Sequence, residues 1–165
     1  MKIATEEAFA TLELVSAWRK LLDDGAPGEP GFKALSSHWT TRVTDQLIDL
    51  GEIRLRQMDE GGVDMQLISV AAPGVQVFDA DTAINLARES NDVLAEAINA
   101  HPIRFAGLAA IAPQAPESAA KELERALGLG LKGALINSHT KGEYLDALSF
   151  RPILEAAENL EVPLY

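Results

Sequence analysis

The sequence predicts an α/β protein built on a parallel sheet, and three observations carry that expectation. Short apolar runs alternate with loop-and-helix segments along the whole chain. Two of these runs, 105–111 and 133–137, are almost continuously apolar, as strands buried on both faces are. The glycine patterns that bind nucleotides, G-x-G-x-x-G after the first strand and G-x-x-x-x-G-K-[ST] anywhere, are absent. The order β-α-(α)-β-α-β-α-β-α-β implies a parallel sheet with helices outside. An open doubly wound sheet gives the same string, and the missing fingerprints favour a barrel. A (β/α)₈ barrel usually needs about 250 residues, so a chain of 165 holds one only in part. The last residues, Val162-Pro163-Leu164-Tyr165, read as a strand with no turn behind it. The expectation is therefore the N-terminal half of a single (β/α)₈ (TIM) barrel domain, residues 1–165, covering about the first five strands.

Residues 2–5 form the first strand and run directly into Glu6-Glu7-Ala8-Phe9. Residues 11–24 follow as a helix with Leu12, Val15, Trp18, Leu21 and Leu22 on one face. Pro27, Gly28, Pro30 and Gly31 mark residues 25–40 as a long loop insertion, of the kind that often covers a site. Thr41 or Thr44 caps the next helix, in which Leu47, Ile48, Ile53, Leu55 and Met58 recur at helical spacing until Gly61-Gly62 ends it. Residues 63–70 form the second strand, broken by Ala71-Ala72-Pro73-Gly74. Asp79 or Asp81 caps a long helix to about Ala100, with Ile84, Leu86, Val93, Leu94 and Ile98 as its stripe and His101-Pro102 as its stop. The third strand is 105–111, and Pro116 opens a helix over 117–129, where its missing N–H costs little. The fourth strand is 133–137, a helix spans about 150–160, and the fifth strand is 162–165.

Composition narrows the function classes. The formal charge of −11 argues against a basic face for nucleic acid or for anionic membranes. No apolar run reaches the roughly 18 residues of a membrane span. Glu6 and Glu7 fall where a signal peptide needs an apolar core, so cytoplasmic residence is expected. With no cysteine, a metal site has Glu, Asp, His and water to draw on.

Reacting groups of a parallel barrel come from the C-terminal strand ends and the loops after them. Here those are Glu6 and Ala8, residues 69–74, residues 112–114 and residues 137–139. Adjacent strand residues face opposite sides, so one of Glu6 and Glu7 points into the barrel mouth, together with Ala8. A carboxylate there is a hard donor for Zn²⁺, Mn²⁺ or Mg²⁺; the competing reading is a solvated acid pair ahead of a helix. Asn137-Ser138-His139 offers an amide and an imidazole to a polar substrate, or forms an ordinary polar turn. His38 and His101 read as structural. Trp18, Trp39 and Phe9 are candidates for an aromatic pocket, and singly for core or lid.

These residues carry a resemblance. Lys2-Ile3-Ala4-Thr5-Glu6-Glu7-Ala8-Phe9-Ala10 resembles the opening of the hydroxybenzoate decarboxylase branch of the amidohydrolase superfamily, which holds γ-resorcylate, 2,3-dihydroxybenzoate and 5-carboxyvanillate decarboxylases. The blocks 54–64, 69–76 and 132–137 are similar to the same family in the same order, and 162–165 is similar to its fifth strand. The resemblance implies a (β/α)₈ barrel with one divalent metal ion, Zn, Mn or Mg, and a small aromatic carboxylate as substrate. It implies metal-dependent, non-oxidative decarboxylation of a hydroxylated aromatic acid. A homo-oligomer, dimer or tetramer, is the expected assembly. Glu6 matches the glutamate of the family's Glu-x-His and is the expected metal ligand; Ala8 stands at the histidine position, a departure shared with some members. Asn137 is the expected substrate or supporting contact. The remaining ligands and the catalytic proton donor are expected beyond Tyr165, the first of them as the next residue. The 165-residue chain alone is accordingly expected to hold no stoichiometric metal and to be inactive. The alternatives are a metal-dependent hydrolase or hydratase on the same scaffold, and a non-catalytic truncated half-barrel.

Overall fold

The computed structural model describes residues 1–25, 32 and 41–165. Nearly all of the expected loop at 25–40, with His38 and Trp39, lies outside the described residues.

β1 spans Ile3–Phe9, β2 Met65–Val70, β3 Phe105–Gly107, β4 Ala109–Ala110 and β5 Ala134–Leu135. All pairings between these strands are parallel: β1 with β2, β2 with β3, and β4 with β5. Leu164 bridges Ala134 in parallel as well, and the Tyr165 N–H donates to the Ala134 carbonyl at 2.9 Å. Spatial order therefore follows chain order, as in a β/α barrel. The helices are α1 (Leu12–Asp23), α2 (Thr41–Ile48), α3 (Glu52–Gly61), α4 (Ala80–Ala100), α5 (Pro116–Gly128) and α6 (Arg151–Asn159).

β1 is longer than the expected 2–5. The register shifts between Ala4 and Glu7, a bulge that lets the strand carry its two acids and still pair Ala8 with Ser69 and Phe9 with Val70. The expected third strand is divided at Leu108. Wholly buried Asn91 of α4 explains the division. Its Nδ2 donates to the Ala110 carbonyl and its Oδ1 accepts from the Ala110 N–H, both at 2.8 Å, so a side-chain amide stands in for a strand partner.

The helix expected through Leu47–Met58 is two helices. Asp49 Oδ1 accepts from the Gly51 N–H at 3.2 Å and from the Arg54 N–H at 2.8 Å, which offers the chain a fresh start. Gly62 ends α3 in the left-handed region at φ 62°. Asp79 caps α4 through the Thr82 N–H, His101 closes it, and Pro116 opens α5, all as expected. Two apolar stripes differ from expectation. Leu12 is exposed at the first turn of α1, while Leu14, Val15 and Trp18 are buried. On α4 the deepest residues are Ala83, Ala87, Ser90, Asn91, Leu94 and Ala95, and Ile84, Leu86, Val93 and Ile98 are half-buried. Small residues let this helix approach the sheet, where a Cβ on Gly107 would lie 2.7 Å from the Leu94 side chain.

The Thr11 side chain caps α1 by accepting from the Leu14 N–H, and its hydroxyl donates to Glu89 Oε2 of α4 at 2.8 Å. Partial burial raises the Glu89 carboxyl above its ordinary value; the Thr11 bond opposes this and the nearby Glu13 and Asp92 charges add to it. The folded state thus takes up this proton more readily than the unfolded chain. Glu89 costs stability above its raised value, and the cost is relieved as pH falls toward the ordinary glutamate range. Glu89→Gln is expected to raise the melting temperature at pH 7 and to lose that advantage near pH 4, read by thermal denaturation of both proteins across that range.

Candidate active site

Register assigns a face to each paired strand residue. Gln66, Ile68 and Val70 alternate as the buried residues of β2 under the helices, so Met65, Leu67 and Ser69 lie on the other, inner face. Parallel partners share a face. Glu7 pairs with Ile68 and Phe9 with Val70, which puts both on the helix side, and Ala8 pairs with Ser69 on the inner side; Glu6 lies in the bulge without a register partner. Leu135 pairs with inner-face Ala110, so Asn137 follows on the inner face too. Leu164 bridges helix-side Ala134, so Tyr165 follows on the inner face, and its hydroxyl donates to Glu6 Oε1, which places the Glu6 carboxylate on that face too. That bond holds the Tyr165 hydroxyl above its ordinary pKa, since ionisation would set two anions against each other.

Of the two acids, Glu6 is the exposed inner-face carboxylate and Glu7 lies beside Arg54 on the helix side. Arg54 is a residue that pattern reading misses. A cation at helical spacing is assigned to solvent, yet Arg54 is buried. Its Nη2 donates to the carbonyls of Ala8 (2.8 Å) and Gln46 (3.2 Å), its Nε to that of Asp49 (2.8 Å) and its Nη1 to Gln66 Oε1 (3.2 Å). Burial lowers its pKa, with Glu7 and Asp49 opposing. The guanidinium anchors the end of β1 two residues beyond Glu6.

At the end of β5, the loop after β2 holds Asn137. Buried Gln76 accepts from the Asn137 N–H at 2.7 Å and donates to the carbonyls of Asn137 and His139 and to Thr140 Oγ1. Hydrophobic patterning misses Gln76 as it misses Arg54, and the partners of Gln76 lie more than 60 positions away. A cleft of about 260 Å³ opens here, lined by Ala72, Pro73, Val77, Asn137, Ser138 and His139 among others. His139 stacks edge-on with Tyr144, and His101 edge-on with Phe105 behind α4. Trp18 and Phe9 are core residues, each 1% exposed, so they form no aromatic pocket.

The donor chemistry of Glu6, a hard carboxylate oxygen on the inner face, fits Mn²⁺, Mg²⁺ or Zn²⁺. Among the described residues no three His, Asp or Glu side chains gather around one point, so Glu6 amounts to one ligand of the several a tight site uses.

Known proteins share this fold. Over 100% of its length the chain is similar to the solved 5-carboxyvanillate decarboxylase of Novosphingobium aromaticivorans, complexed with manganese and 4-hydroxy-3-methoxy-5-nitrobenzoic acid, at 41% identity and a TM-score of 0.95, covering 49% of that chain. It is similar to a Polaromonas dihydroxybenzoic acid decarboxylase solved with manganese and 2-nitroresorcinol, at 36% identity and a TM-score of 0.78, covering 99% of this chain and 48% of that one. The γ-resorcylate decarboxylase of Rhodococcus jostii is 37% identical over 175 residues, which cover 99% of this chain and 49% of the relative. The chain thus spans about half the length of the curated relatives it matches. The fold class is confirmed: an α/β array of parallel strands that covers about half of an amidohydrolase TIM barrel. The family model described as Amidohydrolase matches residues 17–165, and with these likenesses over nearly every residue the chain belongs to the amidohydrolase family.

Proposed function

We propose that the protein carrying this chain is a metal-dependent, non-oxidative decarboxylase of a hydroxylated aromatic carboxylic acid. The observation that carries this reading is the Glu6 carboxylate on the inner face of β1, in contact with Tyr165, in a chain similar over its full length to a manganese-containing 5-carboxyvanillate decarboxylase. Glu6 would contribute a carboxylate oxygen to one divalent ion. When bound, that ion supplies positive charge to hold an anionic substrate and to stabilise charge developing on a phenolic oxygen. Ala8 and Ser69, paired beside Glu6 on the same face, keep the space next to it small-sided and uncharged. Arg54 fixes the β1 carbonyl at Ala8 and so the direction in which Glu6 leaves the strand. Asn137 meets the substrate ring from the end of β5. The proton delivered to the ring carbon is assigned to a group outside residues 1–165. Cytoplasmic residence and a homo-oligomeric assembly belong to the same reading, and among the described residues no helix is long and apolar enough to cross a membrane.

The test is CO₂ release by the purified gene product that contains this chain, supplied with Mn²⁺, Mg²⁺ or Zn²⁺. Substrates are 2,6-dihydroxybenzoate, 2,3-dihydroxybenzoate and 5-carboxyvanillate. Release from at least one, lost on chelation and restored by metal, is the expected outcome. A metal-loaded protein that releases no CO₂ but hydrolyses amides or esters would replace this reading with the hydrolase one.

A further inference from the structure

The orientation of the Asn137 amide is fixed by its surroundings. Its Nδ2 donates to the Pro73 carbonyl at 3.0 Å. A backbone carbonyl only accepts, so the nitrogen end must face Pro73, and the flipped amide would set two acceptors against each other. Gly74 crowds the same end: its φ is 67°, and a Cβ there would lie 2.8 Å from Nδ2. The Gly74 carbonyl in turn accepts from buried Trp18 Nε1 at 2.9 Å, which ties the Pro73-Gly74 backbone to α1. Gln76 grips the Asn137 backbone on both its N–H and its carbonyl. The residue is therefore held by three groups of one loop, and none of them touches Oδ1. Among the described residues Oδ1 has no hydrogen-bond partner, and it is not one of the side-chain atoms sealed from solvent without one. Asn137 is half-buried and lines the cleft of about 260 Å³.

We infer that Asn137 is a preset hydrogen-bond acceptor that selects ligands presenting a donor, a protonated ring hydroxyl, to the wall of this cleft. The inference deepens the decarboxylase reading and rests on it for the aromatic ring, while the polarity of the contact comes from the Pro73 bond alone. A carboxylate placed at Oδ1 would meet another acceptor, so the hydroxyl-bearing edge of the ring faces Asn137 and the carboxylate lies elsewhere. An amide held in one orientation needs no reorganisation on binding, which is what makes such a contact selective. Gln76 and Gly74 are positioning residues for it.

The experiment compares three ligands that differ at one ring position: 2,6-dihydroxybenzoate, 2-fluoro-6-hydroxybenzoate and 2-hydroxy-6-methoxybenzoate. Binding to the manganese-supplemented gene product is measured by calorimetry, and CO₂ release is measured separately. Fluorine and methoxy cannot donate, so the dihydroxy ligand should bind about tenfold more tightly than either. In Asn137→Ala that ratio should fall to about one. Equal binding of the three ligands by the wild type, a preference that survives in Asn137→Ala, or no binding of any of them would overturn the inference. If Asn137→Ala does not fold, the wild-type ratio decides alone. CO₂ release without a hydroxyl preference sinks the acceptor and spares the decarboxylase reading; a preference that depends on Asn137 without CO₂ release does the reverse.

Discussion

Glu6→Gln is expected to strip the divalent ion from the protein and to lower CO₂ release by at least about 100-fold, since losing even a group that only supports a ligand costs 10- to 100-fold. The substitution preserves the shape of the side chain and its place on the inner face, and it removes the negative charge that makes the oxygen a good ligand for a hard cation. An amide oxygen still accepts from the Tyr165 hydroxyl, so the contact across the sheet survives in weakened form. Melting temperature in the absence of metal should move little, because Glu6 is exposed and makes no ion pair among the described residues. The matched control is Glu7→Gln. Glu7 sits on the helix side beside Arg54, so its loss should change stability and leave metal content intact. Metal analysis by mass spectrometry on both variants separates the two carboxylates. Unchanged stoichiometry in Glu6→Gln, or equal loss in both, would remove Glu6 from the site.

That the two neighbouring acids face opposite sides was readable from strand alternation, and the match to the family's Glu-x-His singled out Glu6 for the inner face. Alternation also has a limit here. The bulge between Ala4 and Glu7 adds a residue to β1, so faces counted forward from Ile3 would have come out reversed at Glu6. Counting from the apolar Phe9 gives the correct side. Helix ends carrying their own local chemistry, Asp79, His101, Pro116 and Gly62, were legible because a cap is decided within three or four residues. The break at Asp49 was not, since an aspartate at that spacing looks the same on a helix surface as in a cap until the Gly51 and Arg54 N–H groups turn toward it. Arg54, Gln76 and Asn91 share one reason for being missed. Each is a polar side chain that replaces a missing backbone partner for a distant segment, at Ala8, Asn137 and Ala110 respectively. Hydrophobic periodicity places polar groups outside, and it has no means of registering one that is buried because its bonds are complete. The position of Asn137 at a strand end was legible, whereas the direction of its amide depends on Pro73, 64 positions earlier in the chain.

Gly133→Ala and Gly128→Ala make the same chemical change five residues apart, and they are expected to shift stability in opposite directions. Gly133 precedes β5 with φ at 157°, a backbone that L side chains rarely adopt. An added Cβ would overlap the Pro163 carbonyl oxygen and lie 3.0 Å from the proline Cγ. The neighbour in the way is backbone, and it cannot yield cheaply, because the same carbonyl accepts the Ala134 N–H at 3.2 Å. Relief would mean withdrawing the 162–165 segment from β5 or tilting β5 itself, which also carries the Ala109 N–H to Gly133 carbonyl bond at 2.8 Å. Backbone strain and overpacking together should cost about 3 kcal/mol, a drop of several degrees in the melting temperature of the gene product. Gly128 is the last residue of α5, exposed, with ordinary negative φ and nothing within 4 Å of an added Cβ. There alanine narrows the unfolded ensemble and should stabilise by about 0.5–1 kcal/mol. Differential scanning calorimetry on the two variants reads both signs at once. Equal melting temperatures would mean that Pro163 does not lie against Gly133 in solution, and the parallel bridge from Ala134 to Leu164 would fall with it.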